Sequence, residues 1–359
     1  MASTIDDLRR MAVARTLFAP TSLPRALARL GFVQADPIRA PARAQDLILR
    51  HRVRDYRAGD LERRFARLDV EEDFFVNYGF VSRPIQSLMH PRSSGVARSR
   101  STRRRTADLL AFVRSRGAVH PREVDDHFAH GTVTNYWGGS SSATTHLLED
   151  MHYRGLLRVV RRDAGIRVYA AHEHAAAPGG ERDARLDALV DAAVAVYAPV
   201  PHATMSWLVN RLRFAAPQWR RHLKHAIQRA RRRFAHARVA GVDWYWPDDG
   251  RRTRLAATAS VRLLAPFDPL VWDRRRFEQL WGWSYRFEAY APQPKRKLGY
   301  YALPLLWGDR VIGWGNLAVK DGRLESTFGY VDGVPRDPEF GRLLEEELER
   351  IRRFLRLTT

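Results

Sequence analysis

The run Gly155-Leu156-Leu157-Arg158-Val159-Val160-Arg161-Arg162-Asp163-Ala164-Gly165-Ile166-Arg167-Val168-Tyr169 has the pattern of a β-hairpin hung on the end of a helix. Gly155 suits the left-handed position after a helix, and Asp163-Ala164-Gly165 supplies the turn between two half-apolar strands. Upstream, Leu109, Leu110 and Val113 mark an apolar helix, and Val119-His120-Pro121-Arg122-Glu123-Val124 opens a second at a proline. Ser142 to Tyr153 reads as a third helix. Helix, proline-initiated helix, helix, ribbon is the order of a winged helix-turn-helix.

The order recurs downstream: a helix over 184–197, Val200-Pro201-His202-Ala203-Thr204-Met205, a helix near 217–231, and one strand-like segment from Ala237 to Trp246. The opening hundred residues fit the same plan. Ile5, Leu8, Val13 and Leu17 follow helical spacing, and Ser22 caps a helix Leu23 to Leu30 that stops at Gly31. Residues 42–51 and 59–67 read as further helices and Asp73 to Tyr78 as a strand, with no clear wing after them. Beyond Ala256 the pattern changes to short strands such as Tyr300 to Leu306 and Arg310 to Gly313, joined by Gly-Asp turns. A last helix, about Glu339 to Arg356, carries Phe340, Leu343, Leu344, Leu348, Ile351 and Phe354 on one stripe suited to packing inside a domain. The fold class expected is α+β: winged-helix units over 1–101, 102–178 and 179–255, then a C-terminal β-rich domain over 256–359 closed by a helix.

Sixty-one basic against 40 acidic side chains give +21 over 359 residues, which favours a polyanionic partner, nucleic acid or an anionic membrane. Only Lys224, Lys295, Lys297 and Lys320 are lysines, the pattern of a GC-rich genome. The absence of cysteine excludes disulfides, iron–sulfur clusters, thiolate zinc sites and cysteine nucleophiles. No secretion signal opens the chain and no run of about 18 apolar residues interrupts it, so a cytoplasmic, nucleoid-associated protein without membrane attachment is expected.

Chemistry concentrates in Leu30-Gly31-Phe32-Val33-Gln34-Ala35-Asp36-Pro37-Ile38-Arg39-Ala40-Pro41-Ala42-Arg43. Pro37 holds Asp36 extended, and strand alternation puts Gln34 and Asp36 on one side of the chain. On these residues alone the pair can equally be turn and helix caps. Two further blocks bear on the choice. They are Ala265-Pro266-Phe267-Asp268-Pro269-Leu270-Val271-Trp272-Asp273-Arg274 and the segment from Tyr285 to Tyr301, which ends Lys295-Arg296-Lys297-Leu298-Gly299-Tyr300-Tyr301.

Taken together, in this order, the Gln-x-Asp block, the helix–wing repeats and these two blocks resemble the winged-helix DNA glycosylases of the YcaQ/AlkZ group, over most of the chain. The resemblance implies tandem winged helices and a C-terminal β domain around a DNA channel. It also implies hydrolysis of the N-glycosidic bond of alkylated purines in double-stranded DNA, including unhooking of interstrand crosslinks; the enzyme expected is monofunctional and needs no cofactor. The Gln-x-Asp form is similar to the YcaQ branch, which makes Gln34 and Asp36 the catalytic pair. These residue types suit the reaction. An N7-alkylated purine leaves as a cation without a general acid, a carboxylate opposes the oxocarbenium-like charge and takes a proton from water, and an amide fixes that water. An amine nucleophile is disfavoured, since no lysine lies near Gln34 in sequence.

DNA contacts are expected from Arg39 and Arg43 beside the pair, Arg103 and Arg104 in the basic connector, Arg161 and Arg162 in the wing, Arg221 and Lys224, and Tyr285 with Lys295, Arg296 and Lys297. His120, His127 and His130 lack metal-ligand spacing, so no metal is expected, and the protein is read as a monomer without an obligate partner. The chain departs from the family pattern at Val76 to Ser82, where a strand like Glu-Tyr-Trp-x-His-Glu is usual. It departs again at Gly313-Trp314-Gly315-Asn316-Leu317-Ala318, where Gly-Arg-x-Asp-x-Lys is usual. These changes leave open a non-catalytic winged-helix regulator or architectural DNA-binding protein, in which Gln34 and Asp36 are structural.

Overall fold

A computed structural model describes residues 3–93, 98–128, 131–134, 140–172, 181–250 and 260–357. The expected boundaries at 178/179 and 255/256, and His130, lie outside them. The chain divides into two compact units. The first is Met1–Leu61, Val190–Val209 and Ile227–Thr359; the second is Glu62–Leu189 with Asn210–Ala226. The stretch 256–359 falls wholly in the first unit and 102–178 wholly in the second, while 1–101 and 179–255 are shared out.

The first unit begins with the helix Ile5–Thr16, fixed by a capping box: the Asp7 N–H donates to Thr4 Oγ1 and the Thr4 N–H to Asp7 Oδ2, both at 3.1 Å. Its buried face, Leu8 and Ala12, joins a core with Trp244, Leu270, Phe277, Leu280, Tyr285 and Leu306 from far along the chain. The C-terminal region is a four-stranded antiparallel meander of Val261–Leu263, Leu303–Trp307, Arg310–Lys320 and Arg323–Tyr330, with the helix Pro338–Leu355 packed on its first strand. Of the expected apolar stripe Phe340, Leu343, Leu348, Ile351 and Phe354 are buried and Leu344 is half-buried, and Glu347 lies wholly buried among them, accepting from the Leu263 N–H at 2.9 Å.

A second buried acid ties the N-terminal helices to this region through an ion pair. Arg52 donates to both carboxylate oxygens of Asp268 at 2.8 and 3.0 Å, and neither side chain has any solvent exposure. Arg52 also donates to the carbonyls of Thr16 and Ile48, and Asp268 accepts from the Leu270 N–H, so both groups have partners beyond each other. The aspartate of Phe267-Asp268-Pro269 is therefore a clamp.

In the second unit the helices Arg100–Arg116, Pro121–Phe128 and Ala143–Tyr153 precede the hairpin Leu157–Asp163/Ile166–Ala171, close to the residues the sequence marks. The two-residue turn has positive φ at Ala164 and Gly165, the geometry that matches strand twist. Two expectations are corrected. Asp73 to Tyr78 is the tip of a hairpin between Val70–Phe74 and Tyr78–Ser82, not a strand. Its turn residues Phe75 and Val76 are fully buried, which gave a turn the apolar content of a strand. Likewise Ala237 to Trp246 is two strands, Ala235–Val239 and Val242–Trp246, joined by Ala240 and Gly241 at positive φ.

Three consecutive acids, Glu71, Glu72 and Asp73, are buried in the second unit, each against arginine. Glu71 takes Arg83 at 3.0 Å and Arg158 at 2.7 Å, Glu72 takes Arg162 at 2.6 Å, and Asp73 takes Arg92 at 2.7 Å, with the His90 ring nitrogen Nε2 at 2.8 Å. For Glu71 burial outweighs its arginines and raises the pKa, whereas the partners of Glu72 and Asp73 hold both below the usual carboxylate range despite the opposing effect of burial.

Asp268→Ala leaves the Arg52 guanidinium buried without a counter-charge and is expected to cost about 3–5 kcal/mol in urea unfolding. The double change Arg52→Met/Asp268→Leu is expected to cost clearly less. Equal losses from the single and double variants would contradict the clamp.

Candidate active site

The helix Leu23–Leu30, with Pro24 in its first turn, ends at Gly31 (φ 69°), whose N–H bonds the Leu27 carbonyl at 2.8 Å. The chain then passes through the short strand Phe32–Gln34 into an irregular segment. Gln34, Ala35 and Asp36 are all half-buried. The Asp36 N–H points to Oε1 of the buried Gln45 at 3.4 Å, and Asp36 Oδ1 accepts the Ile38 N–H at 2.9 Å in a tight Asx turn. No cation pairs with Asp36 among the described residues. Burial raises its pKa, opposed only by the Ile38 N–H. The carboxylate is thus a stronger base than one in water, and it has oxygen left to offer.

Two tyrosine hydroxyls sense this carboxylate. Tyr290, 77% exposed, and Tyr301, 3% exposed, both have raised pKa values, first through desolvation and next through the Asp36 charge. The buried Tyr301 hydroxyl has no hydrogen-bond partner among the described residues. The loop that carries Tyr300 and Tyr301 is held by Glu288, which is buried and accepts the N–H groups of Lys297 and Leu298 at 2.8 Å and of Gly299 at 3.3 Å. Asn316 donates from Nδ2 to the Leu298 carbonyl at 2.8 Å. Gly299 sits at φ +122°, and a Cβ there would come within 2.2 Å of Asn316 Oδ1, so only glycine fits.

A cavity of about 650 Å³ lies beside this loop, walled by Arg39, Pro41, Tyr300, Tyr301, Asn316 and Leu317 among others. Its volume falls within the range of small-molecule sites, roughly 300–1,000 Å³. The residues just after Asp36 therefore share a cavity with the second of the two departures in sequence. Asn316, Leu317 and Ala318 contribute uncharged side chains to this lining, and Arg39 and Glu325 are its charged members.

The residues expected to contact DNA are disposed unequally. Arg39 is exposed at the cavity and Arg43 is half-buried. Lys295 and Lys297 are exposed, while Arg296 donates to the Ala291 carbonyl at 2.9 Å and lies over the Tyr300 ring. Arg103 and Arg104 are exposed on the helix Arg100–Arg116, and Arg221 and Lys224 are exposed as well. Arg161 is exposed and reaches Asp163 at 3.1 Å. Arg162 does not present a free guanidinium, because it is engaged by the buried Glu72. Tyr285 cannot stack on a base in this structure: it is 1% exposed in the core and donates to the Ala302 carbonyl at 2.6 Å.

Sequence reasoning selected Tyr285 from an aromatic-rich segment in which Tyr290 and Tyr301 are the rings next to Asp36. It passed over Glu288 and Asn316, which fix the loop. The usable signal was Gly299, whose neighbours had to be shaped around it. No cluster of three or more potential metal-ligating side chains is found among the described residues, and none of the described helices is long and apolar enough to cross a membrane.

The chain is similar to the solved structure of Streptomyces sahachiroi DNA glycosylase AlkZ over 99% of its own length and 97% of the other's, with TM-score 0.64 and 15% sequence identity. At that identity the likeness speaks for the fold. The family described as DNA glycosylase AlkZ-like matches residues 27–354, from within the helix before Gln34 to the last turns of the C-terminal helix. On that near-complete match, the chain belongs to the AlkZ-like DNA glycosylase family.

Proposed function

We propose that this protein is a monofunctional DNA glycosylase that hydrolyses the N-glycosidic bond of N-alkylated purines and unhooks interstrand crosslinks built on them. The observation that carries the reading is the state of Asp36: half-buried, without a cationic partner among the described residues, and with its pKa raised by burial. A structural aspartate in a fold so rich in arginine would be expected to sit against a guanidinium, as Asp73 and Asp268 do. Family membership and the adjacent cavity add to it. The tandem winged-helix reading belongs here too, supported by the order of three helices and a hairpin in the second unit and by the hairpins Val70–Phe74/Tyr78–Ser82 and Ala235–Val239/Val242–Trp246.

In this mechanism the alkylated purine departs with the electrons of its bond to C1′, which neutralises the positive charge of its ring. The Asp36 carboxylate opposes the charge left on the sugar. Gln34 holds a water with its amide, the water oxygen bonds to C1′, and its proton passes to Asp36. The uncharged side chains of Asn316, Leu317 and Ala318, with the Tyr300 and Tyr301 rings, leave room in the cavity for a bulky alkylated base. Lys295 and Lys297 are exposed, with the exposed arginines of the second unit adding to the engagement of the DNA backbone.

Duplex DNA bearing N7-alkylguanine or a nitrogen-mustard crosslink tests the proposal by release of base and formation of abasic sites. Asp36→Asn is expected to lower the single-turnover rate by about 10²–10⁴-fold. It should also leave Tm equal or higher: a carboxyl whose pKa is raised by folding costs stability once pH exceeds its unfolded value, and the amide removes that cost. Product from Asp36→Asn at the native rate, or none from the native protein on any alkylpurine, would overturn the assignment.

Asp36 must be ionised to act, so the rate is expected to rise with pH through its elevated pKa and then level off. The midpoint should lie above that of an aspartate in water, and a midpoint at or below it would contradict the role of Asp36. Borohydride in the reaction should trap no covalent protein–DNA adduct, since hydrolysis here uses water and not an amine. Gly299→Ala, which drives Asn316 away from Leu298, is expected to slow base release while leaving affinity for undamaged duplex within about twofold. A native rate would show that the 297–301 loop is not part of the site.

A further inference from the structure

A second cavity, of about 460 Å³, lies in the first unit and shares no lining residue with the one beside Asp36. Six arginines line it: Arg50, Arg54, Arg57, Arg262, Arg350 and Arg353. Asp55 is the only acidic side chain of the lining, and it is exposed at the rim. Glu347 is the buried acid nearby, and it is already shared between Arg50 and Arg350.

The cavity contains guanidinium groups whose hydrogen bonding is incomplete. Arg262 extends from the strand Val261–Leu263, whose two terminal residues are fully buried, while its own side chain makes no hydrogen bond among the described residues. Its Nη1 is buried without a partner, and so is Nε of Arg50 in the same lining. Burial pushes the Arg262 pKa down, as do the charges of Arg52, Arg350 and Arg50, with Glu347 opposing. The other arginines are partly engaged: Arg350 donates to the Val261 carbonyl at 2.9 Å, Arg50 to the Leu263 carbonyl at 2.9 Å, and Arg57 to the Arg353 carbonyl. Like charges gathered with buried, unsatisfied donors are unfavourable unless an anion joins them, and planar guanidinium forks match the oxygens of phosphate.

We propose that this arginine-lined cavity is an anion site that takes a phosphate group. It neither uses nor depends on Gln34 and Asp36. A phosphate there would accept from the guanidinium donors that face the cavity and offset the repulsion among the six arginines, whose buried nitrogens Arg262 Nη1 and Arg50 Nε lie behind its wall. The cavity is larger than one phosphate needs, so the group can be carried on a larger body, either a phosphate of nucleic acid or a free nucleotide-sized compound. The Tyr56 and Phe354 rings in its wall, stacked 6.3 Å apart, offer an apolar flank to that body.

The test uses the full chain in thermal unfolding with sodium phosphate, pyrophosphate and sodium chloride at matched ionic strength. Phosphate also stabilises proteins non-specifically, so the reading rests on variants. The native protein is expected to gain several degrees in Tm from phosphate over chloride. Arg262→Met should abolish that gain while starting from an equal or higher Tm in chloride. Arg114→Gln, at an exposed arginine of the second unit, should respond like the native protein. If Arg262→Met does not yield folded protein, Arg54→Gln, at an exposed lining position, should raise the phosphate concentration needed for half the shift by about threefold or more. Binding to undamaged duplex separates the sources. A loss of about 3–10-fold in Arg262→Met, with competition by phosphate in the native protein, identifies a nucleic-acid phosphate; unchanged duplex affinity with the phosphate response lost identifies a free phosphate compound. A phosphate shift that persists unaltered in Arg262→Met, or no shift beyond chloride in the native protein, overturns the proposal.

Discussion

The clamp between Arg52 and Asp268 is the constraint on which the candidate site rests. Taking both charges out of water is costly, and a bidentate pair with further backbone partners on both groups offsets that cost only in one arrangement. That arrangement fixes the end of the helix Ala44–Leu49 against the Phe267-Asp268-Pro269 turn, and with it the segment 34–41 that leads into the helix. Arg50 and Glu347 repeat the device against the last helix. The residues around Asp36 can then remain irregular, with a carboxylate left uncompensated, because the framework on either side is over-determined.

Arginine accordingly plays two parts in this chain. In the cores of both units it is a structural donor, as Arg52, Arg92 and Arg276 show, each almost free of solvent and bonded to backbone carbonyls. On the surface it is charge. The formal net charge of +21 does not separate the two, and a guanidinium locked to Glu71 or Glu72 contributes nothing to a partner's phosphates. This is why a basic pair in a hairpin, Arg161 and Arg162, resolves into one exposed side chain and one internal one.

Much of the fold was legible where local chemistry and tertiary demand agree. The helix Leu23–Leu30 with its glycine stop, the hairpin turning at Ala164-Gly165, and the stripe of the last helix all lie close to their expected bounds. The failures share one cause. Phe75 and Val76 form a turn tip that is buried, and Ala240-Gly241 forms a turn without Asn or Asp, so in neither place did polarity mark the break. Within the site, Gln34 and Asp36 stood out by pattern and resemblance. The roles of Glu288 and Asn316 arise from contacts 9 to 18 residues away in sequence and leave no periodic trace. Tyr285 and Tyr301 look alike in sequence, and only packing separates the core ring from the one beside the carboxylate.

The first unit is discontinuous, and that has a consequence for how the protein is made. Its core joins Leu8 and Ala12 to Leu306 and Val311, and its clamp joins Arg52 to Asp268. On the ribosome the N-terminal helices emerge long before their partners, which for Arg52 means a wait of 216 residues. The second unit, complete once Ala226 has emerged, can finish folding while the Gln34–Asp36 segment still waits for its framework. A nascent chain halted before Arg310 would hold the whole second unit and an unassembled candidate site.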